Sequence, residues 1–173
     1  MNYSMIFFII GWVLNIEAAL MAPSALVAVL YGERSVWAFA STIGLCLLLG
    51  LPLVRRQPAN KVFYAKEGCV TVALSWIVMS LMGALPFVFS GAIPSIVDAM
   101  FETVSGFTTT GASILKDVEA LPQCMLFWRS FTHWIGGMGV LVFVMAIIPL
   151  AGSRSMHLMR AEIPGPSVGK LVP

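Results

Sequence analysis

Apolar residues run through this chain in four long blocks, from about Met5 to Leu30, Val36 to Val54, Gly68 to Phe89 and Leu126 to Leu150. Each reaches or closely approaches the roughly 20 residues a helix needs to cross about 30 Å of hydrocarbon. The first block is long and holds Pro23, which predicts a tilt or kink. No Lys or Arg precedes it, and its apolar run exceeds the roughly 7–15 residues of a signal-peptide core, so it reads as a permanent span. Between the third and fourth blocks the pattern changes. Ile96, Val97, Met100, Phe101 and Val104 recur at helical spacing, with Pro94 placed for a first turn and Gly106 for a left-handed stop. A helix from Ser95 to Ser105 rises only about 16 Å, half a bilayer. It leads into Thr108-Thr109-Thr110-Gly111, too short and too polar to cross by itself. The pattern predicts an all-α integral membrane protein, with four transmembrane helices plus one re-entrant half-helix and its loop.

Composition agrees. Hydrophobic residues make up 59% of the 173 residues and charged residues 10%, with mean hydropathy +0.93. Soluble domains carry about 25% charged residues, so lipid is the first expected partner. A net charge of +2 is too small to suggest nucleic acid. Position matters more than sum. Arg55, Arg56, Lys61, Lys66, Arg154, Arg160 and Lys170 fall on one side of the predicted spans, and only Arg34, Lys116 and Arg129 on the other. Seven against three puts the 55–66 loop, the C-terminal tail and, with an even span count, the N-terminus in the cytoplasm. The re-entrant loop then faces outward with Asp98, Glu102, Asp117 and Glu119, a modest negative bias that concentrates cations. An ordinary solvated loop accounts for Asp117 and Glu119 equally well. Cys124 is expected near the outer surface, open to an impermeant thiol reagent.

Non-helical backbone at membrane depth is tolerated only where it is buried in protein or lines a water path. A chain that enters on a half-helix, turns on Thr-Thr-Thr-Gly and leaves on the same side has the layout of an ion-selectivity filter. The helix C-terminus carries partial negative charge and suits a cation. Gly111 can take positive φ, letting successive carbonyls turn toward one axis, while threonine hydroxyls add ligands or brace the strand. Arg129 and His133, one turn apart, either brace this loop through Glu102 or Asp98 or form a snorkelling interface pair. Asn15 and Glu17 lie mid-span, and an intramembrane acid is a functional candidate by default, set against helix packing or a polar partner. Gly136, Gly137 and Gly139 suggest close helix packing, and Trp128 and Trp134 an interfacial belt. Cys46, Cys69 and Cys124 have no CxxC spacing, and His133 and His157 fall on opposite sides, so no metal site other than one for the permeating ion, and no cofactor, is expected. The run Gly165 to Lys170 is one residue short of a phosphate loop and lacks its Ser or Thr. No catalytic set shares one membrane face, and no enzyme is expected.

Three segments, Phe101 to Ser113 (FETVSGFTTTGAS), Phe127 to Val140 (FWRSFTHWIGGMGV) and Met159 to Pro173 (MRAEIPGPSVGKLVP), give the chain a resemblance to the Trk/Ktr/HKT superfamily. It resembles most closely the N-terminal part of the bacterial Trk-type potassium uptake subunits. The resemblance implies potassium as substrate and a pore of four span–loop–span units. Thr108, Thr109, Thr110 and Gly111 would be the filter strand of the first unit, supported by Glu102, Gly106, Ala112 and Ser113. It also implies a multi-pass protein of the bacterial inner membrane that works with a cytoplasmic nucleotide-binding regulatory subunit. The expected organisation is a two-span hairpin over 1–55, a basic cytoplasmic loop over 56–67, a filter unit over 68–152 and a cytoplasmic linker over 153–173. One filter unit where the family has four makes the chain an N-terminal portion, not expected to conduct alone and needing the remaining pore units or homologous subunits. The alternative is a non-transporting scaffold or remnant that keeps the fold.

Overall fold

A computed structural model of the chain describes residues 2–56, 58 and 65–150, with side chains described over 2–56, at 58 and over 67–139. The described residues form five helices and no strand: α1 (Tyr3–Leu30), α2 (Val36–Arg55), α3 (Ala65–Phe89), α4 (Ile96–Phe107) and α5 (Gln123–Leu150). The first compact unit, Met1–Gly137, holds α1 to α4 and the start of α5, and the described part of the second, which begins at Met138, is the rest of α5. Among the described residues three helices are long and apolar enough to cross a membrane: α1, α2 and the Glu67–Phe89 stretch of α3. With 12 residues, α4 reaches only about 18 Å.

The boundaries differ from expectation in places. α3 starts at Ala65, so Lys66 and Glu67, expected in the loop over 56–67, are helical. Glu67 sits in the first turn, where negative charge complements the helix N-terminus. The linker over 153–173, and Lys61, Arg154, His157 and Arg160, lie outside the described residues. α1 runs unbroken through Pro23.

α1 ends in a Schellman motif. Gly32 takes φ 65°, its N–H donates to Val29 O at 3.1 Å, and the Glu33 N–H donates to Ala28 O at 2.9 Å. The reversal lays α2 along α1, and small residues let the two approach. A methyl group at Gly11 would lie 2.7 Å from Leu53 Cβ, and one at Gly50 would lie 2.7 Å from Asn15 Oδ1. Ile6, Ile10, Leu14, Ala18 and Cys46 fill this hairpin's own core. A larger core draws on all five helices, including Met21, Phe39, Phe87, Phe107, Met125 and Trp128.

Hydrogen bonds at the helix termini show which ends meet. The Asn2 N–H donates to Glu67 Oε1, bringing the start of α1 to the start of α3. At the other end of α1, Glu33 accepts from the N–H groups of Gln123 and Cys124, at 2.6 and 3.1 Å, and so caps α5 from the α1–α2 turn. α3 therefore leaves its C-terminus at the same end as the N-terminus of α5, and the segment between them returns to the end it started from.

Two expectations about α5 fail on burial. Trp128 is not an interfacial belt residue, because it is fully buried and its indole N–H donates to Gly83 O at 2.9 Å. Trp134, at 57% exposure, keeps the outward position. Cys124 is not open to solvent either. It precedes the apolar run of α5, yet it is fully buried. Burial, together with the Glu33 carboxylate beside it, pushes its thiol up to about 12. A thiol shifted in that direction holds little of the reactive thiolate near neutral pH. An impermeant maleimide at pH 7–9 is expected to leave Cys124 unmodified in the folded protein and to label it after denaturation in SDS. Mass spectrometry of the 123–129 peptide reads the result, and rapid native labelling would contradict this packing.

Candidate ion-binding site

The site is built on α4. Ser95 is its N-cap, accepting from the Asp98 N–H at 3.4 Å, so Pro94 lies one residue before the cap and not in the first turn. The helix is two-faced. Ala99, Glu102, Thr103, Ser105, Gly106 and Phe107 are buried, while Val97, Phe101 and Val104 are 72%, 47% and 38% exposed. The buried face is fitted closely to its neighbours. A methyl group at Gly106 would lie 2.3 Å from Thr132 Oγ1, and one at Gly136 would lie 2.0 Å from Phe107 O. Phe107 is fully buried and makes edge contacts with Trp76 on α3 and Trp128 on α5, at centroid distances of 6.4 and 6.5 Å.

Gly106 does not end the helix. It is helical and spends its missing side chain on the approach to Thr132. The stop lies three residues later, in a second Schellman motif. The Thr109 N–H donates to Gly106 O and the Thr110 N–H to Ser105 O, both at 3.0 Å, with Thr109 at φ 57°. A β-branched residue in that region is a backbone outlier, costing about 1–2 kcal/mol. The Thr108 hydroxyl donates to Val104 O at 2.7 Å. Its 2.8 Å contact with the Thr110 hydroxyl therefore takes its proton from Thr110.

Beyond this turn residues 110–113 belong to no helix and are exposed, and Gly111 takes φ 76°. Side chains of α4 tie the strand back. The Ser105 hydroxyl donates to Ala112 O at 2.6 Å. The Glu102 carboxylate, 2% exposed, accepts from the Ser113 hydroxyl with both oxygens at 3.0 Å and from the Ile114 N–H at 3.0 Å. Arg129 of α5 donates its Nε–H to the same carboxylate at 2.5 Å. Glu102 is thus a buried anchor and not one of the acids of an outer mouth. The bracing expected of Arg129 runs through Glu102, whereas the His133 Nδ1 lies 3.0 Å from Arg129 O, within its own helix.

The geometry joins Glu102 to Ser113, and Ser105 to Ala112, across the turn made by Thr108, Thr109, Thr110 and Gly111. On the exposed side of α4, Val97, Phe101, Val104, Thr108, Thr110 and Ala112 border an open groove of about 300 Å³. Among the described residues no cluster of three or more His, Cys, Asp or Glu side chains could hold a metal ion. The anchoring roles of Ser105 and Phe107 were missed from sequence. Both lie in the FETVSGFTTTGAS run, but their partners, Ala112 and two tryptophans, are set by the turn and by other helices. Glu17 is 1% exposed and packs behind α4, 3.4 Å from the position of a methyl group on Gly83. Among the described residues neither of its carboxylate oxygens has a hydrogen-bond partner.

Removing one member of a buried ion pair leaves the other charge uncompensated, at a cost of about 3–5 kcal/mol. Glu102→Ala and Arg129→Ala are each expected to lower the thermal midpoint in detergent sharply. The reversed pair, Glu102→Arg with Arg129→Glu, restores opposite charges but removes the acceptor that Ser113 and Ile114 need. It is expected to stay at least as unstable as Arg129→Ala. Recovery to the parent midpoint would show that the charges alone matter.

Residues 35–172 match the sequence profile of the TrkH family, described as cation transport protein. The chain is similar to the Trk system potassium uptake protein TrkH of Escherichia coli K12, at 39% identity over 168 residues, which cover 96% of this chain and 35% of that protein. TrkH of Halomonas elongata is 37% identical over the same shares of the two chains, and TrkG of Escherichia coli K12 is 33% identical over 90% of this chain and 33% of its own. The crystal structure of the potassium transporter TrkH from Vibrio parahaemolyticus superposes with a TM-score of 0.79 at 35% identity, covering 86% of this chain and 32% of that one. The chain thus spans about a third of the length of the curated relatives it matches. A profile match over most of the chain, joined to this fold, means that the chain belongs to the TrkH family of cation transport proteins.

Proposed function

We propose that this chain supplies the first span–loop–span unit of a potassium uptake pore, together with a two-span hairpin that precedes it. Thr108, Thr109, Thr110 and Gly111 are its filter strand. Glu102, Gly106, Ala112 and Ser113 hold that strand in place. The observation that carries the reading is the strand itself: exposed backbone on the end of a half-membrane helix, fixed at Ala112 and at Ser113–Ile114 by α4. Exposed carbonyls held in one arrangement can replace the hydration shell of a potassium ion. The relatives named as potassium uptake proteins support the choice of ion.

In this reading α5 is the fourth span and α4 a re-entrant half-helix. The shared end of the α3 C-terminus and the α5 N-terminus supports it, since the chain between them goes in and comes back. The exposed Val97, Phe101 and Val104 face further units of the pore, because one strand makes only part of an ion cage. The membrane is the bacterial inner membrane, both termini face the cytoplasm and the strand opens outward. Lipid surrounds the spans, and a cytoplasmic nucleotide-binding subunit would meet the protein on the basic side. The chemistry is transport and not catalysis of a covalent change.

Orientation can be read on the exposed Glu119. In a cysteine-free background, Glu119→Cys is expected to react with an impermeant thiol reagent added outside permeabilised outer membranes. Reaction only after lysis would reverse the topology.

The filter is tested in the complete transporter that carries this segment, in a bacterium lacking other potassium uptake. Gly111→Ser forces a side chain into positive φ at about 1–2 kcal/mol, which corresponds to roughly a tenfold change. Growth on limiting potassium and the potassium-over-sodium uptake ratio are each expected to fall by about that factor, while Thr110→Ser, which keeps the hydroxyl, stays near the parent. An unchanged ratio in Gly111→Ser would remove this residue from the filter. A parent protein without any potassium uptake would favour a scaffold that keeps the fold without the transport.

A further inference from the structure

We infer that Glu33, on the turn of the N-terminal hairpin, is a positioning residue for the filter strand and acts on it through α5. Its carboxylate accepts two N–H groups of the first turn of α5, Gln123 at 2.6 Å and Cys124 at 3.1 Å. Those groups have no partner inside their own helix, and the N-terminus favours a negative charge. Burial pushes the Glu33 carboxyl up, but the hydrogen bonds from Cys124 and Gln123 outweigh it and hold the group below the ordinary carboxylate range. The Gly32 turn fixes Glu33 against the end of α1, so the cap is delivered from a rigid place.

Six residues further along the same helix, about 9 Å, Arg129 meets Glu102. Glu102 in turn holds Ser113 and Ile114. Trp128, between them, is locked by its bond to Gly83 O. A shift or fraying of the first turn of α5 therefore moves the guanidinium that fixes the return of the strand. The hairpin thereby contributes to the site from a distance, since its turn sets the axial position of α5 and α5 sets the strand.

The kinetic arm of the test rests on the uptake reading above, and the exchange arm does not. In the complete transporter, Glu33→Ala removes both acceptors, Glu33→Gln keeps one, and Arg34→Ala on the same exposed turn is the control. Loss of an N-cap corresponds to roughly a three- to tenfold effect. Amide exchange is expected to speed up by about that factor at Gln123 and Cys124 and also at Ile114 and Leu115, whose N–H groups are bonded to Glu102 and Ser113. The potassium KM is expected to rise by a similar factor with little change in maximal rate per folded transporter, whereas simple loss of protein lowers the maximal rate alone. Glu33→Gln should fall between the parent and Glu33→Ala, and Arg34→Ala should match the parent. Faster exchange confined to residues 123–126, or a changed maximal rate at constant KM, would overturn the proposal. Coupled exchange in a parent that takes up no potassium would support the positioning role and count against the uptake reading.

Discussion

A carboxylate with 2% of its surface exposed has to be answered by donors, and around Glu102 the donors come from both sides of the strand. Ser113 and Ile114 bond to it from the strand's exit, and Arg129 from α5. Glu102 itself is one turn of α4 before Gly106, whose lack of a side chain lets α5 come close. The ion pair is a weak source of net stability, because desolvation offsets much of its attraction. Its value is geometric. The placement of residues 113–114 satisfies the donors and the acceptor together, and it fixes the far end of the Thr108–Gly111 turn.

The near end is fixed by apolar contact. Phe107, directly before the turn, sits among Trp76, Trp128 and the methyl-free face of Gly136. Burial of such a ring is worth about 2–3 kcal/mol, and it leaves the backbone little room to retreat. Between the two anchors lie a handful of residues with exposed side chains, tied to α4 through Val104, Ser105 and Gly106. A strand held at its ends and open along its length can present carbonyls to an ion without collapsing onto its own protein.

The helical architecture was legible in the sequence because apolar length and helical spacing are local. So were the half-helix of α4 and the positive φ of Gly111. What escaped depended on partners distant in sequence. Glu102 read both as a filter support braced by Arg129 and as an outer-mouth charge, and its burial and its bonds to Ser113 and Ile114, 11 and 12 residues away, exclude the second reading. Trp128 read as a belt residue because its acceptor, Gly83 O, is 45 residues away. Glu33 carried no signal, since the amides it caps are 90 and 91 residues away. Gly106 misled for another reason. Glycine serves both as a helix stop and as a point of close approach, and only the position of Thr132 decides between them.

The two Schellman turns make the functional argument from within one chain. At the end of α1, Gly32 occupies the left-handed position at no cost, as befits a connection that only has to reverse the chain. At the end of α4 the same hydrogen-bond pattern is built with Thr109, a residue that resists that conformation. Glycine there would be more stable locally but would remove a hydroxyl and loosen the backbone of the strand. Strain of this kind persists only where the surroundings over-determine it, and here they do: Phe107 is locked on one side, and Ala112, Ser113 and Ile114 are tied on the other. A threonine kept in an unfavourable turn, between two anchors that hold it there, is what the proposed filter requires: local stability given up for a fixed array of oxygens.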